Sequence, residues 1–387
     1  MFKIDKIKIS GFRRLREIEI KMTDRPFIVL IGANGVGKTS LLDAFSLLAA
    51  SASGHLNATL SQFGGFASIL TRDKSEELSF LVDMSVDTTV QHHKPLTYEL
   101  HLSPKGTGYS LSREVLSQDR DGHSDPVKYI DSSYENICYY DIDKEGFVHP
   151  TWTYNPFETS LSQVPKTFSE SEEFRSILAA TTIYHVLDVG LRAPVKLPQQ
   201  MRPATLPGVD GEDLVPYLYY LRESDRDRFD TIVAAVNSAF PDFEELNFPP
   251  VAAGTLAMTW RDRKFAKPMY MHELSEGMLR FLWLVSLLQS PTLPTITMID
   301  EPEVSLHPEL LSLLADLMRE TSLRTQLIVA THSDRLIRFL KPEEVVVMDI
   351  AEDWCATVVW ADSLDLEKWL DEYSLDEVWQ MGRMGGR

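Results

Sequence analysis

The sequence predicts an α/β fold, and three observations carry that prediction. A short apolar run from Phe27 to Ile31 empties into a glycine-rich loop, and an amphipathic helical pattern begins near Lys38. Two later apolar runs, within 295–303 and 325–333, read as buried strands that end in Asp300-Glu301 and in His332. Between these halves, strand-like segments parted by polar or glycine-containing turns read as an antiparallel meander.

In chain order, residues 2–22 read as two strands joined at Gly11, Phe2 to Ser10 and Leu15 to Met22. Lys3, Lys6, Lys8, Arg13, Arg14 and Arg16 make this the most basic stretch. Solvent-facing charges on an edge strand explain it better than phosphate contacts, although both readings stand. Residues 61–70 form a glycine-marked turn. The meander segments are Leu78 to Val86, Leu96 to Leu102, Tyr109 to Leu116 and Ile137 to Ile142. Residues 143–170, rich in Pro, Thr and Ser and poor in periodicity, read as surface loop. Helical patterns return at about 171–187 and 212–240, with Asp210 and Ser224 as candidate N-caps in the second stretch. Thr255 to Trp260 reads as a strand, and no repeat of fixed period is visible.

Composition narrows the function classes. A chain of 387 residues with 44% hydrophobic and 25% charged residues is globular with an ample core. Its net charge of −19 argues against a protein that coats nucleic acid over its whole surface, while leaving room for a local basic patch. The two cysteines, Cys138 and Cys355, lack metal-like spacing and read as inert thiols of a reducing compartment. The N-terminus alternates charged with apolar residues, as a strand does and a signal peptide does not. The longest near-continuous apolar run, Phe281 to Leu288, is far shorter than the ~20 residues that span a bilayer. A cytoplasmic protein with no membrane partner is expected.

The loop after Ile31 fits G-x-x-x-x-G-K-[ST], a Walker A pattern, with Gly32, Gly37, Lys38 and Thr39 at the fixed positions. Glycines let backbone N–H groups close around phosphate at a helix N-terminus that already favours anions. Gly32, Asn34, Gly35, Gly37, Lys38, Thr39 and Ser40 are the candidate ATP-binding residues of this loop. Lys38 is placed for the β/γ-phosphates and the Thr39 hydroxyl for Mg²⁺.

Three further motifs follow. In Leu274-Ser275-Glu276-Gly277, Ser275 is placed to cap the helix that starts there, and Gly277 keeps its first turn free of side chains, an arrangement that suits an anion. It also suits an ordinary N-cap. In Ile299-Asp300-Glu301-Pro302, Asp300 is the candidate Mg²⁺ ligand and Glu301 the candidate general base. In Thr331-His332-Ser333, His332 lies at the carboxyl end of a strand, where open α/β sheets bind ligands, and is expected to contact the γ-phosphate. His307 more simply shapes a turn.

Walker A, a Leu-Ser-x-Gly signature, Ile-Asp-Glu-Pro and Thr-His-Ser, in this order, resemble the ABC-type ATPase heads of the RecF/SMC branch. More narrowly, the chain resembles compact, stand-alone bacterial AAA/ABC-like ATPases often labelled RecF-like or OLD-like. Gly64-Gly65-Phe66, Glu301-Pro302-Glu303 with Leu306-His307-Pro308, Tyr373 to Trp379 and Gly385-Gly386-Arg387 support it. The resemblance implies one ABC-type head with an antiparallel β subdomain and a small helical insertion. Its divisions would be an N-terminal lobe over 1–130, an inserted mixed or helical subdomain over 131–255, and a C-terminal lobe over 256–387. It also implies a homodimer sandwiching two ATP molecules, with Ser275 and Gly277 of one subunit on the γ-phosphate held by Lys38 of the other. Glu301 would be general base and His332 the switch residue. Two departures stand out. Residues 130–250 carry only short helical patterns where SMC-type relatives carry coiled-coil arms. The chain ends soon after a last expected strand, Glu343 to Ile350, where OLD-type relatives add a nuclease domain. Gln62 is a candidate for the Q-loop glutamine.

Two function classes follow from this. One is an ATPase whose ATP-driven homodimerisation is coupled to DNA, or to a DNA-processing or anti-phage partner. The other is an ATP-dependent sensor or scaffold that regulates a separate effector, such as a nuclease or toxin, without touching DNA. A transporter motor is a weaker third, because the middle of the chain replaces the transporter-coupling region.

Overall fold

The computed structural model describes residues 2–86, 94–120, 125–134, 136–141 and 146–385. Ile142 and the closing Gly386-Arg387 pair lie outside the described residues.

Strands β1 (Phe2–Phe12) and β2 (Leu15–Lys21) form a hairpin, β3 (Phe27–Ile31) enters the glycine loop, and α1 (Lys38–Ser53) leaves it. Helices α2 (Leu56–Gln62) and α3 (Phe66–Ile69) flank the Gly64-Gly65 turn. The meander runs through β4 (Leu78–Val86), β5 (Leu96–Lys105), β6 (Gly108–Gln118), β7 (Val127–Ser132), β8 (Tyr139–Asp141) and β9 (Gly146–Val148). Then come α4 (Ser169–Ala180), β10 (Thr182–Tyr184), β11 (Gln199–Gln200), α5 (Leu214–Ser224), α6 (Arg226–Ala239), β12 (Phe243–Asn247), β13 (Thr255–Leu256), β14 (Thr259–Asp262) and β15 (Met269–Tyr270). The chain continues with α7 (Glu276–Leu288), β16 (Ile296–Asp300), α8 (Leu310–Thr321), β17 (Gln326–Ala330), α9 (Asp334–Ile337), β18 (Val345–Ile350), β19 (Ala356–Trp360), α10 (Glu367–Leu370) and α11 (Leu375–Gln380).

The central sheet has the order β10-β16-β17-β3-β18-β19, parallel except for β19 at its edge. Strands buried on both faces need apolar residues throughout, which is why β3 reads Phe-Ile-Val-Leu-Ile without a polar break. Alternate residues serve two cores. Phe27, Val29 and Ile31 pack with α7 and α8, whereas Ile28 and Leu30 pack with α1 and the antiparallel sheet. That second sheet, β2-β1-β4-β5-β6-β7-β8-β9, covers α1 from the other side. Because β10, β16, β17 and β3 run parallel, their carboxyl ends all open on one edge.

Several expectations need correction. The first hairpin turns at Arg13-Arg14, not at Gly11, which lies inside β1. Its basic residues are largely paired: Lys6 with Asp83 at 2.7 Å, Lys8 with Glu17 at 3.0 Å, Arg16 with Asp353 at 3.2 Å, and Arg13 with Asp43. The helix expected over 171–187 stops at Ala180, because Thr182–Tyr184 pairs in parallel with β16. The caps of α5 and α6 are Asp213 and Asp225, not Asp210 and Ser224. The Asp225 side chain accepts from the Arg228 amide, while the Ser224 hydroxyl donates to the Tyr220 carbonyl. Thr255 to Trp260 divides between β13 and β14, which belong to different small sheets. The 143–170 stretch is not all surface: Glu158, Thr159, Ser160 and Leu161 are buried. The buried Glu114 carboxylate makes that possible by accepting from the amides of Ser160 at 2.6 Å and Leu161 at 2.8 Å. Finally, Glu343 to Ile350 is not the last strand, since β19 follows β18. Both cysteines are free, and no helix among the described residues is long and apolar enough to cross a membrane.

Candidate nucleotide site

Gly32 to Lys38 joins the carboxyl end of β3 to α1. Gly32 has φ +151°, and a Cβ there would lie 2.4 Å from the Met348 carbonyl oxygen, so only glycine fits. Asn34 and Gly35 are exposed at the crest of the loop, Gly37 is buried, Thr39 is exposed in the first turn of α1, and Ser40 is half-buried. Lys38 is 8% exposed, and its ammonium donates to the carbonyls of Gly32 at 2.6 Å and Ala33 at 3.0 Å. Burial lowers its pKa, and the carboxylates of Glu301, Asp300 and Glu303 oppose that shift. The lysine therefore sits in the field of three carboxylates.

Asp300 ends β16, and Glu301 follows with φ +50°, a left-handed conformation unusual for a side chain of this size. Such backbone costs on the order of 1–3 kcal/mol and gathers at functional sites. The Glu301 amide is held by the Ala330 carbonyl at 2.8 Å, which ties the acidic turn to the end of β17. Across that join, His332 Nδ1 lies 2.8 Å from Glu301 Oε1. The structure thus brings Lys38, Asp300, Glu301 and His332 together at one edge of the sheet.

Ser275 caps α7, its hydroxyl accepting from the Met278 amide at 3.3 Å, and it is exposed. Among the described residues, neither Ser275 nor Gly277 shares a hydrogen bond with the Lys38 loop. A Cβ on Gly277 would come 2.7 Å from the Ser305 carbonyl oxygen, so glycine also lets α7 approach the segment after β16. Gln62 is exposed at the end of α2, and His307 is exposed in the segment between β16 and α8.

Sequence reasoning missed His185. It follows β10, and its Nδ1 lies 3.6 Å from Asp300 Oδ2; the Asp300 carboxylate beside it raises its pKa. The cue was present in Thr182-Ile183-Tyr184, a β-favouring triplet absorbed into the preceding helical pattern. Glu303 and Thr331, which contact each other beneath the site, were also unassigned.

The glycine cradle suits a polyphosphate, and the oxygen donors Thr39 and Asp300 suit a hard divalent cation. Among the described residues no cluster of three or more His, Cys, Asp or Glu could hold a metal alone. A Mg²⁺ bound largely by phosphate oxygens and water needs only one or two protein oxygens.

A glycine-rich loop between a buried strand and a helix, on a parallel sheet backed by an antiparallel sheet, defines a P-loop ATPase with the ABC-head fold. The chain belongs to the family described as "AAA domain, putative AbiEii toxin, Type IV TA system", which matches residues 27–338. Its fold is similar to an SMC head solved bound to the C-winged helix domain of ScpA, with a TM-score of 0.57 and 14% identity over 95% of this chain and 99% of that one. It is also similar to the Pyrococcus furiosus SMC head domain with an extended coiled coil bound to the C-terminal domain of ScpA, with a TM-score of 0.53 and 12% identity over 96% of this chain and 98% of that one. A 45-residue stretch is 56% identical to the DNA replication and repair protein RecF of Geobacter metallireducens (strain ATCC 53774 / DSM 7210 / GS-15), covering 12% of each chain. The protein binds nucleotide and hydrolyses ATP.

Proposed function

We propose that ATP closes two copies of this chain face to face and that hydrolysis reopens them, coupling the cycle to DNA or to a DNA-processing or anti-phage partner. Lys38 and the N–H groups of its loop bind the phosphates, and Thr39 and Asp300 hold Mg²⁺, which neutralises phosphate charge when bound. Glu301 takes the proton of the attacking water, and His332 orients Glu301 and meets the γ-phosphate.

One observation carries the dimer. The N-terminus of α7 is a capped, anion-favouring end that, among the described residues, makes no hydrogen bond to its own phosphate loop, so the exposed Ser275, with the half-buried Gly277 beside it, is available to a second copy. Ser275→Arg, introduced into a hydrolysis-blocked Glu301→Gln protein, is expected to abolish ATP-dependent dimerisation in sedimentation velocity while the monomer still binds ATP. A dimer that survives the change would overturn the trans arrangement.

The RecF-like stretch favours DNA as the cargo. The net charge of −19 favours the second reading, a scaffold that holds and releases a separate effector protein. Titrating the ATP-bound Glu301→Gln protein onto duplex DNA across a salt series separates them. Binding that needs ATP and falls steeply with salt reports phosphate contacts, whereas no binding at low salt favours the effector.

A further inference from the structure

Beneath the Glu301–His332 pair lies a carboxyl group with no assigned role. Glu303 is 9% exposed. Its Oε1 accepts a 2.5 Å hydrogen bond from the Thr331 hydroxyl, and its Oε2 is buried with no partner among the described residues. Burial pushes the Glu303 carboxyl up from the ordinary carboxylate range; the Thr331 hydrogen bond and the charge of His332 oppose this, and Glu301 adds to it.

Thr331 is fully buried and is gripped from three sides. Its amide donates to the Leu30 carbonyl at 3.0 Å, one residue before the end of β3. Its hydroxyl donates to Glu303 and accepts from the Ser333 amide at 3.0 Å. The hydroxyl therefore spans His332, fixing the backbone on both sides of the histidine and tying it to the turn that carries Glu301. An apolar pair at 303 and 331 would serve packing at lower cost, because a buried carboxyl with one unpaired oxygen is unfavourable. That cost is tolerated where a site needs its geometry held.

We infer that Glu303 is a positioning residue for hydrolysis: through the Thr331 hydroxyl it clamps the 331–333 backbone and holds His332 against Glu301. The inference rests on the proposed roles of Glu301 and His332. It predicts that the hydrogen bond matters, and the negative charge does not.

The test measures steady-state ATP turnover, ATP affinity and melting temperature on the full chain. Glu303→Ala is expected to lower kcat on the order of 10–100-fold, as removal of a supporting hydrogen-bond partner does in other sites, with ATP affinity within about twofold. Glu303→Gln, whose amide oxygen can still accept from Thr331, should keep kcat within about threefold. Thr331→Val should match Glu303→Ala, Thr331→Ser should recover most of the rate, and Glu303→Ala with Thr331→Val together should be no slower than either alone. Glutamine as slow as alanine at 303, additive losses, or turnover that tracks melting temperature would each overturn the clamp. Should Glu303→Ala fail to fold, the Thr331→Val and Thr331→Ser comparison carries the same decision. His332→Ala separates the two levels of argument. Full turnover in that variant refutes the histidine's role itself, whereas slow turnover beside an unaffected Glu303→Ala refutes only the clamp.

Discussion

Glu301→Gln is expected to leave ATP binding intact and to slow hydrolysis on the order of 10²–10⁴-fold, the usual contribution of a general base. Glutamine is nearly isosteric, and its amide oxygen can keep the place of the Oε1 that lies 2.8 Å from His332 Nδ1. The backbone that presents it is fixed independently of the side chain, by the bond from its amide to the Ala330 carbonyl and by the left-handed turn at φ +50°. What the substitution removes is the ability to take a proton. Binding measured with a fluorescent ATP analogue, beside single-turnover hydrolysis, separates these effects. Hydrolysis within about tenfold of the parent would move the base elsewhere.

The parts of the site legible in the sequence are those whose local spacing already contains the geometry. Phe27 to Thr39 states a buried strand, a glycine cradle and a helix start within thirteen residues, and the structure follows it closely. Ser275 before an apolar helical run likewise marks the start of α7. What stayed hidden depends on partners far along the chain. Thr182–Tyr184 becomes a strand because it pairs with Thr297–Ile299, more than a hundred residues away, and the local pattern of apolar residues had continued the helix. His185, just past the end of that strand, reaches Asp300 only through the same pairing. The polar run from Glu158 to Ser160 could be buried because its groups find distant partners: Glu158 accepts from the Leu56 amide at 2.9 Å, and Thr159 donates to the Ser51 carbonyl at 2.7 Å. Gly277 shows a related limit. The spacing marks it as special, but its close approach to the Ser305 carbonyl is a tertiary fact.

Lys38→Ala is expected to remove measurable ATP binding. The side chain is the cation of the loop, 8% exposed, with its ammonium already aimed along the cradle by the carbonyls of Gly32 and Ala33. Hydrogen bonds to charged groups contribute roughly 1.5–3 kcal/mol each. Were the ammonium to exchange these two carbonyl contacts for phosphate oxygens, losing both would weaken affinity by about 10²–10⁴-fold, at about 1.4 kcal/mol per decade. A second consequence adds to this. Asp300 and Glu301 both act on the lysine, so its removal leaves two carboxylates at the site without their shared counter-charge. Calorimetric titration with a non-hydrolysable ATP analogue and Mg²⁺, beside a melting curve that shows the variant folded, decides the matter. Ordinary affinity in a folded Lys38→Ala protein would mean that the backbone N–H groups bind the phosphates alone, and that the lysine acts later, on the charge that develops during hydrolysis.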